Sequence, residues 1–121
     1  MTDTHRTAES GRLSVTRTVT GDVAVVAASG ELDHDTGEQL RDALLPGGIA
    51  VPERVVVDMS DITFMDSSGI NILVGAHQAC EAAQGWLHLA NPTEPVLRVI
   101  ELVGLDQVIP CYPSVDHAAA P

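Results

Sequence analysis

Three consecutive valines, Val55-Val56-Val57, constrain this chain more than any other feature. The run is short, continuous and bounded by turns. An apolar run without alternation describes a strand covered on both faces, as in the middle of a largely parallel sheet. The rest of the chain must supply the cover. With 121 residues it has the length of one domain, since domains usually hold roughly 100–150. Aromatic residues make up only 2 %, so the core has to be built from Val, Ile, Leu and Ala. An aliphatic core and alternating strand and helix patterns point to an α/β fold with layered packing.

The periodicities fill in the order. Leu13 to Thr20 alternates, with Leu13, Val15, Arg17 and Val19 on one side and hydroxyl residues on the other. That is a strand with one solvated face. Gly21-Asp22 signals a two-residue hairpin into a second strand, Val23 to Ser29. Asp33 to Leu45 has helical spacing, with Asp35 or Thr36 as cap, and Pro46-Gly47-Gly48 stops it. The valine strand follows. Ser60 to Asp66 is expected to be a loop with Phe64 and Met65 buried or half-buried. A helix is predicted from Ser67 to Gln84, with Ile72, Ala76, Ala79, Cys80 and Ala83 on its inner face. Trp86 to Ala90 reads as a strand, Asn91-Pro92 opens a third helix ending at Gly104, and Val108 to Cys111 reads as a last short strand. The expected order is β-β-α-β-α-β-α-β: a mixed sheet of about four to five strands with helices packed against it. Residues 1–11 and 118–121 are expected to be loose tails around a single domain over residues 12–117.

Charge and composition exclude whole classes. The net charge is −11 and the chain has no lysine. Nucleic-acid affinity comes largely from neutralising phosphates, so no nucleic-acid partner is expected. No anionic membrane partner is expected either. No apolar run approaches the roughly 20 residues that span a bilayer, and the first ten residues are polar, so the chain reads as cytoplasmic. Cys80 and Cys111 are expected to be buried thiols rather than a disulfide or redox pair, and no Cys/His spacing suggests zinc. Without Lys there is no phosphate-binding Gly-rich loop of the nucleotide-hydrolysing type.

The segment Asp66-Ser67-Ser68-Gly69 marks a strand end turning into a helix. Two readings of it stand side by side. Asp and Ser are ordinary helix caps, because their oxygens accept from unpaired backbone N–H groups. The same helix start has partial positive charge and spare donors, so the fold would tolerate a phosphate on Ser67. A phosphoserine adds about −1.5 to −2 charge at pH 7, which a docked partner would feel as repulsion and a desolvation cost. Catalysis by Ser67 is not expected. A hydrolase elbow wants Gly-x-Ser-x-Gly, and Met65 stands where its first glycine belongs. No spacing singles out His34, His77 or His88 as a base, and His77 and His88 are expected at the surface or in a strand. Glu31, Asp33, His34 and Asp35 form an oxygen-rich cluster, but the pattern of an EF-hand is absent, and a solvated loop with a helix cap is expected there instead of a metal site.

Val55-Val56-Val57-Asp58-Met59-Ser60 followed by Ile62-Thr63-Phe64-Met65-Asp66-Ser67-Ser68-Gly69-Ile70 resembles the signature of the STAS domain family of bacterial anti-sigma-factor antagonists. Gly30-Glu31-Leu32-Asp33-His34-Asp35-Thr36 resembles the family's other recurrent segment, and Pro92 to Gly104 its third helix. The resemblance covers about Leu13 to Asp116. It implies a STAS-like fold and a protein with no catalysis and no cofactor of its own. The implied partner is an anti-sigma factor that is also a serine kinase of the ATP-binding type. It binds the unmodified form, releases the sigma factor and phosphorylates the serine after the Asp, which is Ser67 here. A serine phosphatase resets the system. The implied docking surface takes in Asp33, His34, Asp66, Ser67, Ser68, Gly69 and Asn71. Asn71 stands where glycine is common and Ile70 where leucine is usual. STAS-like domains also serve as non-catalytic scaffold subunits of sensor or lipid-transport complexes, and that alternative stays open at this point.

Overall fold

In the computed structural model, residues 4–9, 13–45 and 54–120 are described. The elements run β1 (Thr4–Glu9), β2 (Leu13–Thr20), β3 (Val23–Leu32), α1 (Gly37–Leu44), β4 (Arg54–Met65), α2 (Ser67–Ala82), β5 (Trp86–Ala90), α3 (Glu94–Val103), a 3-10 turn (Leu105–Gln107), β6 (Cys111–Tyr112) and α4 (Val115–Ala119). Among the described residues the sheet has six strands in spatial order β1-β2-β3-β4-β5-β6. The first three pair antiparallel, and β3, β4, β5 and β6 pair parallel. Parallel neighbours need a crossover, and α1, α2 and α3 provide the three. The fold is the expected mixed sheet with packed helices.

The valine strand is central. Val55, Val56 and Val57 are each fully buried, β3 and β5 flank them, and both faces are covered. One face carries Val55 and Val57 with Val26, Leu87 and Leu89, and packs under α1, α2 and α3 through Leu40, Leu44, Leu73, Ala76, Val96 and Ile100. The opposite face carries Val56 and Ala90, closed over by Ala118 of α4. Arg17 belongs to the inward side of β2, as its alternation predicts. It is buried, and its guanidinium donates to the Ala43 carbonyl at 3.0 Å, near the electronegative end of α1. The two-residue hairpin forms at Gly21-Asp22, where Gly21 takes φ +63.

Several expectations are corrected. Thr4–Glu9 is not a loose tail; it pairs antiparallel with β2, so the sheet gains an edge strand. The frayed end expected over residues 118–121 is not seen at Ala118 and Ala119, which belong to α4: Ala118 is buried, and Ser114 caps the helix by accepting from the His117 N–H at 3.1 Å. Of the supposed loop Ser60–Asp66, Ser60 to Met65 is the second half of β4 and Asp66 caps the helix that follows. Alternation fails there because β4 has irregular register at two places, between Ala27/Ser29 and between Gly30/Glu31 of its neighbour. Each bulge puts an extra residue on β4 and flips the side-chain phase. Met59, Ile62 and Met65 therefore all point inward at intervals of three. Of the two residues expected to be buried or half-buried here, Met65 is buried and Phe64 is 49 % exposed.

The inner face of α2 is also rotated from the predicted one: Leu73 and His77 are buried with Ala76 and Cys80, while Ile72 is only half-buried. His88 is buried too, stacked on Trp86 at 3.9 Å and bonded through Nδ1 to the Ala118 carbonyl at 2.9 Å. Helix α1 starts at Gly37, later than the predicted Asp33. The predicted stop at Pro46-Gly47-Gly48 lies outside the described residues. Cys80 and Cys111 are both thiols.

Candidate functional site

Strands β3 and β4 run parallel and end together, with Leu32 opposite Met65. Parallel neighbours lie about 4.8 Å apart, so the segments that leave them start side by side. This brings the two sequence segments of interest to one edge of the sheet: Asp33 to Thr36 after β3, and Asp66 to Gly69 after β4. The Asp66 N–H donates to the Leu32 carbonyl at 3.2 Å and ties one exit to the other.

The Asp66 exit is an N-cap. Asp66 is extended (φ −110, ψ −168), and its Oδ1 accepts from the Ser68 N–H at 2.9 Å. The helix begins at Ser67, whose side chain is exposed, while Ser68 is half-buried. Gly69 sits on the buried side of this first turn. A Cβ there would lie 2.7 Å from Met65 Cγ and 2.8 Å from Leu32 Cγ, so only glycine lets the turn seat on the two strand ends. Asn71, one turn after Ser67, is exposed on the same side.

The Asp33 exit is built differently. The Asp33 carboxylate turns back on its own loop, where Oδ1 accepts from the N–H groups of Asp35 at 2.9 Å and Thr36 at 3.2 Å. The buried Thr36 hydroxyl donates to the Glu31 carbonyl at 2.9 Å and accepts from the Asp33 N–H at 2.9 Å. These bonds make a tight Asx-type turn before α1. They leave His34 and Asp35 outermost and exposed. Among the described residues no three His, Cys, Asp or Glu side chains gather as a metal site.

The site residues predicted from sequence thus share one edge, but not one role. Ser67, His34 and Asn71 are on the surface. Asp66 and Asp33 hold backbone in place. Gly69 is buried under the turn and has no surface to offer a partner. One residue was missed: exposed Phe64, three positions before Ser67, adds an apolar side chain beside the acidic rim. Its signal in the sequence is hidden by the bulge that reverses the phase of β4.

The family model for the STAS domain matches residues 14–118, and the chain belongs to that family. Among relatives, an anti-sigma F factor antagonist of Paenibacillus polymyxa is 30 % identical over 94 residues, spanning 74 % of this chain and 78 % of the relative. Among solved structures, an anti-sigma factor antagonist from Mycobacterium paratuberculosis is 30 % identical with a TM-score of 0.77, covering 88 % of this chain and 90 % of that one. The Bacillus cell fate determinant SpoIIAA in its phosphorylated form is 26 % identical with a TM-score of 0.61, covering 95 % and 96 %. Among the described residues no helix is long and apolar enough to cross a membrane.

Proposed function

We propose that this protein is an anti-sigma-factor antagonist, a non-catalytic regulator whose binding is switched off by a phosphate on Ser67. The observation that carries the reading is the exposure of Ser67 at the first position of α2, above a floor that Gly69 seats on Leu32 and Met65. The family membership and the names of the relatives supply the partner class.

In this reading the partner is an anti-sigma factor that is also an ATP-dependent serine kinase. The Ser67 Oγ attacks the γ-phosphorus, a new O–P bond forms, the bond to the β-phosphate bridge breaks, and ADP leaves. The hydroxyl proton passes to a base on the kinase. Asp66 is committed to the Ser68 N–H, so its part on this chain is to fix the direction in which Ser67 points. Ser68 is the poorer acceptor because it is half-buried and lies behind that bond.

Electrostatics make the product a poor ligand. The edge already presents Asp35 and Asp66, and phosphate adds about −1.5 to −2 charge at pH 7. The helix start offsets part of that charge, so the fold holds while the interface does not. A loss of about 2.8 kcal/mol in binding is a hundredfold in affinity. The docking rim is His34, Asp66, Ser67, Asn71 and Phe64, with Asp33 shaping it from below. A serine phosphatase restores the binding form. The cycle draws on ATP, which places it inside the cell.

The test is incubation with the cognate kinase and ATP, followed by intact-mass measurement and peptide mapping. One phosphate on Ser67 is expected. Phosphate on Ser68 or elsewhere, or none at all, overturns the reading.

A further inference from the structure

Helix α3 buries one apolar face and leaves a second one uncovered. Val96 and Ile100 point into the core, with Leu97 half-buried beside them. On the outer side Pro95, Val99 and Leu102 follow at intervals of four and three, the spacing of one helix face, and Val103 lies one turn after Val99. Pro95 is exposed, Val99 is half-buried, Leu102 is 81 % exposed and Val103 is 54 % exposed. Among the described residues the exposed large apolar side chains are Phe64, Leu102, Val103 and Val108. Three of these lie at the end of α3 or just past the turn that follows it. Single exposed apolar residues need no explanation, but a group of them marks an interaction surface.

The charges beside the stripe indicate what covers it. Arg98 is the only basic residue of α3, and it lies on the same side of the stripe as Glu94 and Glu101. It pairs with Glu94 at 3.3 Å, and both side chains of that pair are largely in water. Such a pair contributes little, and a guanidinium has donors to spare for a second carboxylate. In an antiparallel pair of α3 helices the numbering of one runs against that of the other. Leu102 of one copy seats best between Pro95 and Val99 of the second, level with position 97 there. Counting back along both helices then brings Arg98 of one copy level with Glu101 of the other. The apolar seat and the ion pair thus select the same register independently. A two-fold axis repeats both, giving two leucine seats and two ion pairs, as a self-complementary surface requires.

We infer that the outer face of α3 docks on α3 of a second copy of this chain, antiparallel, in this register. The contact closes at two copies. One helix pair is a small interface, so the dimer is weak and forms with rising concentration. The pairing uses α3 alone and rests on nothing at Ser67.

Sedimentation velocity of the full chain over a roughly hundredfold range of concentration tests it. The weight-average mass should rise toward twice that of the monomer and level off there. Leu102→Asp should abolish the rise, and Leu102 is exposed enough for the fold to accept the change. Arg98→Glu and Glu101→Arg should each weaken association at least tenfold, by placing like charges opposite one another. An equimolar mixture of these two variants should associate again, because each copy then meets the opposite charge in the other. That recovery separates the pairing from any effect of the substitutions on the helix itself. A monomer at every concentration overturns the proposal and leaves the stripe to a different protein. A dimer that survives Leu102→Asp, a mass that climbs past two copies, or a mixture that stays monomeric also overturns it.

Discussion

The underside and the top of the Ser67 turn are a few ångströms apart and follow opposite rules. Underneath, Leu32 and Met65 are buried, and Gly69 approaches them so closely that even one methyl group does not fit. On top, Ser67 and Asn71 are exposed and Phe64 presents half of its surface. Close-packed interiors pass on any change of volume, whereas an exposed side chain changes without disturbing the fold. On the proposed function, the contrast teaches how a small domain would take a phosphate without being unfolded: the side that would carry it is loose, and the side that positions it is packed tight. The Asp33 and Asp66 turns lie between these extremes, exposed enough to form a rim and bonded enough to hold its shape.

Substitutions on the two sides should therefore separate stability from binding. The largest expected stability change is from below. Gly69→Ala puts a carbon into Leu32 and Met65, and overpacking of this kind costs about 1–3 kcal/mol. Denaturant unfolding should show a lower midpoint, while residual folded protein still accepts phosphate on Ser67. A wild-type midpoint would mean the floor is softer than its contacts indicate. From above, Ser67→Asp should weaken anti-sigma-factor binding by at least tenfold in calorimetry, and Ser67→Ala should bind with or without ATP. An acid at a helix start gains about 0.3–1 kcal/mol, so Ser67→Asp should unfold no earlier than the wild type. Loss of stability together with binding would break the comparison.

The rim should fall between. Asp66→Ala removes a helix cap and should cost about 1 kcal/mol, with a slower phosphorylation rate because Ser67 is less well oriented. Asp33→Ala frees the N–H groups of Asp35 and Thr36 to water and should cost a similar amount, about 1 kcal/mol, without changing the phosphorylated residue. The smallest stability effect is expected at Phe64. Phe64→Ser should stay within about 0.5 kcal/mol in unfolding yet reduce partner affinity several-fold. Full affinity in that variant would remove Phe64 from the docking rim.

Much of this was legible along the chain. The valine run, the Gly21-Asp22 hairpin and Gly104 at the end of α3 each follow from local rules about burial and backbone conformation, and the structure places them accordingly. The second half of β4 was not legible. Its bulges depend on the partner strand, and a bulge erases the alternation by which a strand is read. The edge strand β1 was hidden for a related reason: its residues carry little apolar pattern, and only the presence of β2 makes a ladder available to them. Helix α4 is too short to be read from periodicity and exists because Ala118 has the far face of the sheet to cover.

The same division holds for the serine. By itself the sequence determined that residue 67 begins a helix behind an aspartate and that a glycine follows two positions later. Those facts rest on nearest neighbours, since caps and first turns are local. Only the tertiary structure decided that this helix start emerges beside the Asp33 turn, that Gly69 is buried as its seat on Leu32 and Met65, and that Phe64 faces outward. Each of these depends on how β3 and β4 align at their ends. That register is a bond between residues more than thirty positions apart, which no local pattern encodes.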